Sequence, residues 1–191
     1  MADTIKKSKA QIATIDVSLV TIETTSGEFG FETSNKVEVE PQTEETDAVK
    51  LIVKGKLISQ KPKQVTVTGN KITLTDNVFN PELVLVLQGG KIIYEGQEAT
   101  GKIIGYDAPV AGSSDKGEVF KLNCYSAQYD ASGAIVNYEK ITYPNCMGEP
   151  VSMSSEDDSF RAPEYVINSA PKSGESPYTI RYVDSLPTYQ P

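Results

Sequence analysis

The stretch that comes nearest to a chemical motif is Gly96-Gln-Glu-Ala-Thr-Gly101-Lys102. Its glycine and lysine spacing matches the loop whose backbone N–H groups cradle nucleotide phosphates. Ile103 stands where that loop needs Ser or Thr to hold magnesium, and Glu98 would repel phosphate. The run Lys102-Ile-Ile-Gly-Tyr106 also reads as a strand, whereas the motif must open a helix. Nucleotide binding is therefore set aside. The triplet Glu156-Asp157-Asp158 offers adjacent carboxylates, while a calcium loop alternates its ligands. It reads as a solvated turn or as a partner for Lys and Arg across an interface. Cys124 and Cys146 have neither a metal-ligand set nor a histidine base nearby and read as small core residues. Carboxylates abound, but no pair is marked for acid–base work on a glycosidic bond, and no Trp offers a sugar platform.

Composition narrows the chemistry further. The 191 residues contain no histidine. Histidine changes charge near neutral pH and is the commonest metal ligand, so Ser-His-Asp, Cys-His and most zinc chemistry are absent. No catalytic residue, cofactor or metal is expected, and function must be sought in architecture and surface. The net charge is -8, which disfavours tight binding to nucleic-acid phosphates. No apolar run approaches the roughly 20 residues of a membrane-spanning helix. Lys6, Lys7 and Lys9 near the start are not followed by the apolar stretch of a secretory signal. The chain is expected to fold in a cytosol, with both thiols reduced.

The elements that must position any site are mostly short strands. Ile12 to Glu23 is rich in Ile, Val and Thr, and Gly27 to Gly30 reads as a turn. Val37, Val39, Val49, Leu51 and Val53 belong to alternating segments split by Glu40-Pro-Gln-Thr-Glu-Glu-Thr-Asp47, which reads as a long exposed loop. Gly69-Asn70 between alternating runs suggests a two-residue hairpin turn, with Val67 opposite Ile72 and Val65 opposite Leu74. Asn80, Pro81, Glu82 and Gly89-Gly90 are start and stop signals around one short helix. Lys91–Tyr94 and Lys102–Tyr106 read as strands, and Gly112 to Gly117 as a loop. A long hairpin, Glu118–Tyr129 with Ile135–Cys146, turns at Asp130-Ala-Ser-Gly133. A four-residue loop puts Tyr129 opposite Ala134, Leu122 opposite Ile141, Phe120 opposite Tyr143 and Cys124 opposite Glu139, which argues against a Cys124–Cys146 disulfide. Val151–Met153, Tyr165–Ile167 and Tyr178–Val183 supply the last strands. The expected fold is mainly β: an antiparallel β-sandwich or barrel with one short flanking α-helix and extended terminal arms. Residues 1–11 form a flexible arm, 12–185 a single domain, and 186–191 a C-terminal extension.

Three blocks, taken in order, carry a family resemblance. They are Pro41-Gln-Thr-Glu-Glu-Thr-Asp-Ala-Val-Lys-Leu-Ile-Val-Lys-Gly-Lys-Leu-Ile58; Ile72-Thr-Leu-Thr-Asp-Asn-Val-Phe-Asn-Pro-Glu82 with Gln88-Gly-Gly90; and Lys140-Ile-Thr-Tyr-Pro-Asn-Cys-Met-Gly-Glu-Pro150, continued by Phe160-Arg-Ala-Pro-Glu-Tyr165 and Ser169 to Pro177. Together they resemble the major tail tube proteins of phages that infect Gram-positive bacteria. The resemblance implies a β-sandwich or barrel with a flanking helix, built into hexameric rings by continued β-pairing. Rings stack into a hollow tube around a tape-measure protein, joined to tail-tip or baseplate proteins, and DNA passes through without being held. Terminal arms and a long hairpin loop join neighbouring rings in that family. On this reading Glu40, Glu44, Glu45 and Asp47 are inter-ring contacts, and the protein belongs to the virion after assembly in the host cytoplasm. An acidic lumen would let DNA slide past. The competing reading is a monomeric β-sandwich binding or adhesion module; an enzyme is a third, with no constellation of residues behind it.

Overall fold

The computed structural model describes residues 13–32, 34–96, 101–153, 157 and 162–188. The expected N-terminal arm (residues 1–11), the middle of the Gly96–Lys102 segment, most of the acidic triplet and residues 189–191 lie outside that set.

The protein is mainly β, with antiparallel sheets and one helix among the described residues. The principal sheet runs in the order β2 (Glu28–Phe31), β1 (Thr14–Glu23), β9 (Phe120–Tyr129), β10 (Ile135–Gly148), β11 (Glu164–Ser169), β6 (Gln64–Asp76), β3 (Ser34–Thr46), with β12 (Thr179–Val183) also pairing to β10. It curls until β1 and β3, near opposite ends of that order, lie side by side. No ladder joins them among the described residues, so the arrangement is sandwich-like and not a closed barrel. Two small hairpins stand apart: β4 (Val49–Val53) with β5 (Lys56–Lys61), and β7 (Lys91–Glu95) with β8 (Lys102–Asp107).

Alternation explains the core. Val20 and Ile22 of β1, Leu122 and Cys124 of β9, Ile72 and Leu74 of β6, and Tyr165 and Ile167 of β11 turn the same way and are buried together. The helix α1 (Pro81–Gln88) closes one side by burying Leu83, Val84 and Leu87. Each of these side chains contributes about 1.5–3 kcal/mol relative to exposure. Its caps are those expected: Asn80 Oδ1 accepts from the N–H groups of Glu82 and Leu83, Pro81 opens the first turn, and Gly89 ends it.

Several local expectations are corrected. Thr24 N–H donates to Gly27 O, so the first turn spans Thr24–Gly27 and Glu28–Phe31 is already strand. Glu40 to Thr46 is strand, not loop, because it pairs with β6 along its length, with one irregularity between Gln42 and Thr43. Gly69-Asn70 is no turn: β6 runs straight through it, Gln42 faces Gly69, and Val67 faces Thr43 rather than Ile72. The β9–β10 hairpin is shifted from the expected register. Tyr129 faces Ile135, because the loop runs one residue further than expected, to Ala134. Leu122 then faces Tyr143, Cys124 faces Ile141 and Phe120 faces Cys146, because the ladder is also interrupted between Ile135 and Asn137 and again between Tyr143 and Cys146. Cys124 and Cys146 are both free and buried. Val151–Met153 contributes a single bridge, Ser152 to Glu164, in place of a strand. The strands at Lys91 and Lys102 and the Gly112–Gly117 loop stand as expected.

Candidate functional site

The feature that leaves the body of the molecule is one long ribbon. β3 and β6 pair from Ser34↔Asp76 to Thr46↔Gln64, and beyond them β4 and β5 form a terminal hairpin. The hairpin turns at Lys54-Gly55, whose φ values of 48° and 78° are both in the left-handed region. A type I′ turn needs this at both central residues, and its twist matches the flanking strands. The inner part of the ribbon is held by the core, where Val37 faces Leu74 and Val39 faces Ile72. Outward from there no described part of the chain covers it: every residue from Glu40 to Thr68 is exposed.

The composition of the exposed part is unlike a solvated loop. Val49, Leu51, Ile52, Val53, Leu57 and Ile58 of the tip stand in solvent, with Ile52 59% and Ile58 61% exposed. Val65 and Val67 continue the apolar surface down the stem. Apolar positions lie on both faces of the tip, since Leu51 and Val53 alternate with Ile52 along β4. A two-stranded hairpin alone in water is marginal at best. Contiguous exposed apolar surface of this kind marks an interaction site. Both long edges of the outer stem are unpaired among the described residues: β3 ends the sheet order, and β6 meets β11 only between Asn70 and Thr75. Such edges are open to pairing with another chain.

The structure places all four expected contact residues on or beside this ribbon but not in one cluster. Glu40, facing Lys71, and Glu44, facing Thr66, share one face by alternation. Glu45, facing Val65, lies on the other and forms an ion pair with Lys63. Asp47 lies just past the end of β3. With both partners about half exposed, the Glu45–Lys63 pair is worth little. What the sequence reading missed is the tip itself, with Lys50, Lys54, Lys56, Lys61 and Lys63 among its apolar residues. The signal was available: Lys54-Gly55 sits between Val49-Lys-Leu-Ile-Val53 and Lys56-Leu-Ile-Ser59, a hairpin pattern as good as the one seen at Gly69-Asn70.

Other candidates are less promising. Lys102 opens strand β8, not a helix, so the phosphate-loop match fails structurally as well. Burial pushes the Cys124 and Cys146 thiols up to about 12, which keeps them protonated and poorly nucleophilic. Asp157 lies in an exposed turn. No cluster of three or more metal-ligating side chains occurs among the described residues. A groove of about 690 Å³ runs beside β2 and the start of α1, lined by Leu19, Phe29, Phe31, Glu28, Glu82 and Pro187. Its carboxylate at Glu28 is already engaged: Thr21 Oγ1 donates to Oε1 at 2.5 Å and Asn123 Nδ2 at 3.4 Å. The strand β12 offers a second open edge, with Tyr178, Ile180 and Tyr182 exposed beside it.

No family model matches the sequence, and no curated protein matches it either. Among solved structures, the chain aligns over 92% of its length with 94% of a chain in the sheath–tube complex of the PVC extracellular contractile injection system in its extended state, at 12% identity and a TM-score of 0.41. It aligns over 95% of its length with 99% of a chain in the anti-feeding prophage cap, which terminates that particle's tube, at 12% identity and a TM-score of 0.41. It aligns over 94% of its length with 95% of a chain in the six-fold-symmetrised anti-feeding prophage baseplate, at 10% identity and a TM-score of 0.33. Likeness at these values establishes neither a shared family nor a shared function. No helix among the described residues is long and apolar enough to cross a membrane.

Proposed function

We propose that this chain is the major subunit of a phage tail tube: a structural protein whose copies close into hexameric rings and stack into a hollow conduit for DNA. The observation that carries the reading is the β3–β6 ribbon, exposed throughout from Glu40 to Thr68 and tipped with apolar side chains. A monomer gains nothing from such an element, whereas an assembly buries it. The order of sequence blocks that resemble tail tube proteins supports the same reading, and so do the open edges of β12 and of the outer stem, which ring closure would consume. On this reading the partners are other copies of the chain, a tape-measure protein and tail-tip or baseplate proteins. DNA is transient cargo that an anionic lumen does not hold. The protein is then a virion component assembled in the host cytoplasm, and neither cofactor nor catalysis is part of the role. The Glu40–Asp47 carboxylates belong to the contact between rings.

The test is negative-stain electron microscopy of concentrated protein beside size-exclusion light scattering, with and without a tail-tip initiator. Rings or hollow tubes are expected. A strict monomer under both conditions, with specific binding on a glycan or cell-wall screen, would replace this reading with the binding module.

A further inference from the structure

The ribbon separates its charges along its length. From Glu38 to Asp47 stand five carboxylates and no cation; from Val49 to Gln64 stand five lysines and no carboxylate. Taking those five lysines from a net charge of -8 leaves -13 on the remainder of the chain. The tip is thus a cationic, apolar end on a strongly anionic molecule.

The two halves do not neutralise each other within one copy. Lys54 lies ten residues beyond Glu44, about 30 Å at the usual strand rise, and everything between them is exposed. Among the described residues one ion pair, Glu45 with Lys63, joins stem to tip, at the point where they meet. Glu40, Glu44 and Asp47 form no ion pair there, and neither do Lys50, Lys54, Lys56 and Lys61.

We propose that the lysine tip of one copy docks along the acidic stem of a neighbouring copy, so that ribbons interlock with an axial stagger. The inference rests on the tube reading and names the surface on which the tip lands. Ribbons laid side by side in register would set carboxylate against carboxylate and lysine against lysine, which is destabilising. A stagger sets Lys54 and Lys56 against Glu40, Glu44 and Asp47. The stem's unpaired edges let the incoming strand add backbone hydrogen bonds. An interface of exposed charges must weaken as salt shortens the screening length to about 3 Å at 1 M.

The test mixes two single-cysteine variants, Lys54→Cys and Glu44→Cys, treats them with a short bismaleimide, and images the same samples. Lys116→Cys serves as an acceptor on the body; it lies in the exposed Gly112–Gly117 loop. The native thiols are buried and stay out of the reaction. A 54–44 heterodimer accompanying tubes is expected. In a parallel series, Lys54→Glu with Lys56→Glu and Glu44→Lys with Asp47→Lys each cut assembly by roughly tenfold or more, and the fourfold exchange restores it. Tubes with no 54–44 product, whether or not 54–116 forms, overturn the tip-to-stem contact and leave the tube reading standing. Neither tubes nor any cross-link overturns both. A 54–44 product without rings or tubes sustains the contact and overturns the tube.

Discussion

A β-carbon placed on Gly69 would overlap the backbone carbonyl oxygen of Ser169. The two residues lie where β6 and β11 come together, beside the pair Asn70↔Ser169, at the end of the ladder that anchors the ribbon to the body. Gly69 is buried and extended rather than left-handed, so the constraint on it is space and not backbone conformation. Gly69→Ala must push β6 off β11 or strain it, at about 1–3 kcal/mol, typical of overpacking. The expected midpoint is lowered by several degrees in thermal unfolding followed by circular dichroism. An unchanged midpoint would show that the strands can part there at no cost.

The tip makes the opposite prediction. Ile52 and Ile58 touch little in the monomer, being 59% and 61% exposed. Ile52→Ser with Ile58→Ser should leave the monomer's unfolding free energy within about 0.5 kcal/mol of wild type, as for ordinary surface changes. Assembly into rings or tubes should be lost. Light scattering and urea melts on the same preparations separate the two readouts. A variant that assembles normally would remove the apolar tip from the interface.

How much of this was legible in the sequence depends on the range of the interaction that decides each element. The helix from Pro81 to Gln88 was legible because its caps, Asn80 and Gly89, act within one turn. The place of the turn after Tyr129 was legible too, but its length was not, since the loop runs to Ala134 and Tyr129 already faces Ile135. The irregularity between Ile135 and Asn137 moves every later pair, and nothing in that stretch of residues announces it. Gly69 misled because glycine before asparagine is a turn signal, while its actual task is to admit Ser169, a hundred residues away. The acidic stretch misled for a complementary reason. Glu40 to Thr46 has no apolar face to bury, so its strand is dictated by pairing with β6. Glu40, Glu44 and Glu45 lie on a paired strand where a loop was expected, and their division between two faces required the ladder.

The start of α1 gives a third prediction. Asn80 Oδ1 accepts from Glu82 N at 3.0 Å and Leu83 N at 3.3 Å, satisfying two donors that the helix cannot. Asn80→Ala should cost about 1 kcal/mol, which lowers the melting midpoint by about 2–4 °C for a chain of this size. Asn80→Asp should restore most of the loss, because a carboxylate also complements the positive end of the helix. Equal losses in both variants would mean that the side chain acts through some contact other than the cap.

Alkaline pH gives the last prediction. Burial holds the thiols of Cys124 and Cys146 at about 12, against 9.0 for a free thiol, and it also pushes the phenol of Tyr143 upward from 10.0. Between pH 9 and 12 the unfolded chain gives up these protons while the native protein keeps them. The unfolded state then binds fewer protons, so stability falls as pH rises. Each thiol contributes a slope of at most about 1.4 kcal/mol per pH unit in that window and nothing below it. Lys121, raised by its hydrogen bond and charge interaction with Glu23, acts in the same direction but at the surface, where screening makes it minor. Urea midpoints should therefore be flat from pH 7 to 8.5 as far as these groups are concerned and drop steeply from pH 9.5 to 11. Cys124→Ala should be less stable at pH 8, because it opens a small cavity, yet lose less on going to pH 11. Parallel curves for the variant and the wild type would show that Cys124 ionises as readily in the native protein as in the unfolded chain, and rapid native-state labelling by a thiol reagent at pH 8 would point the same way.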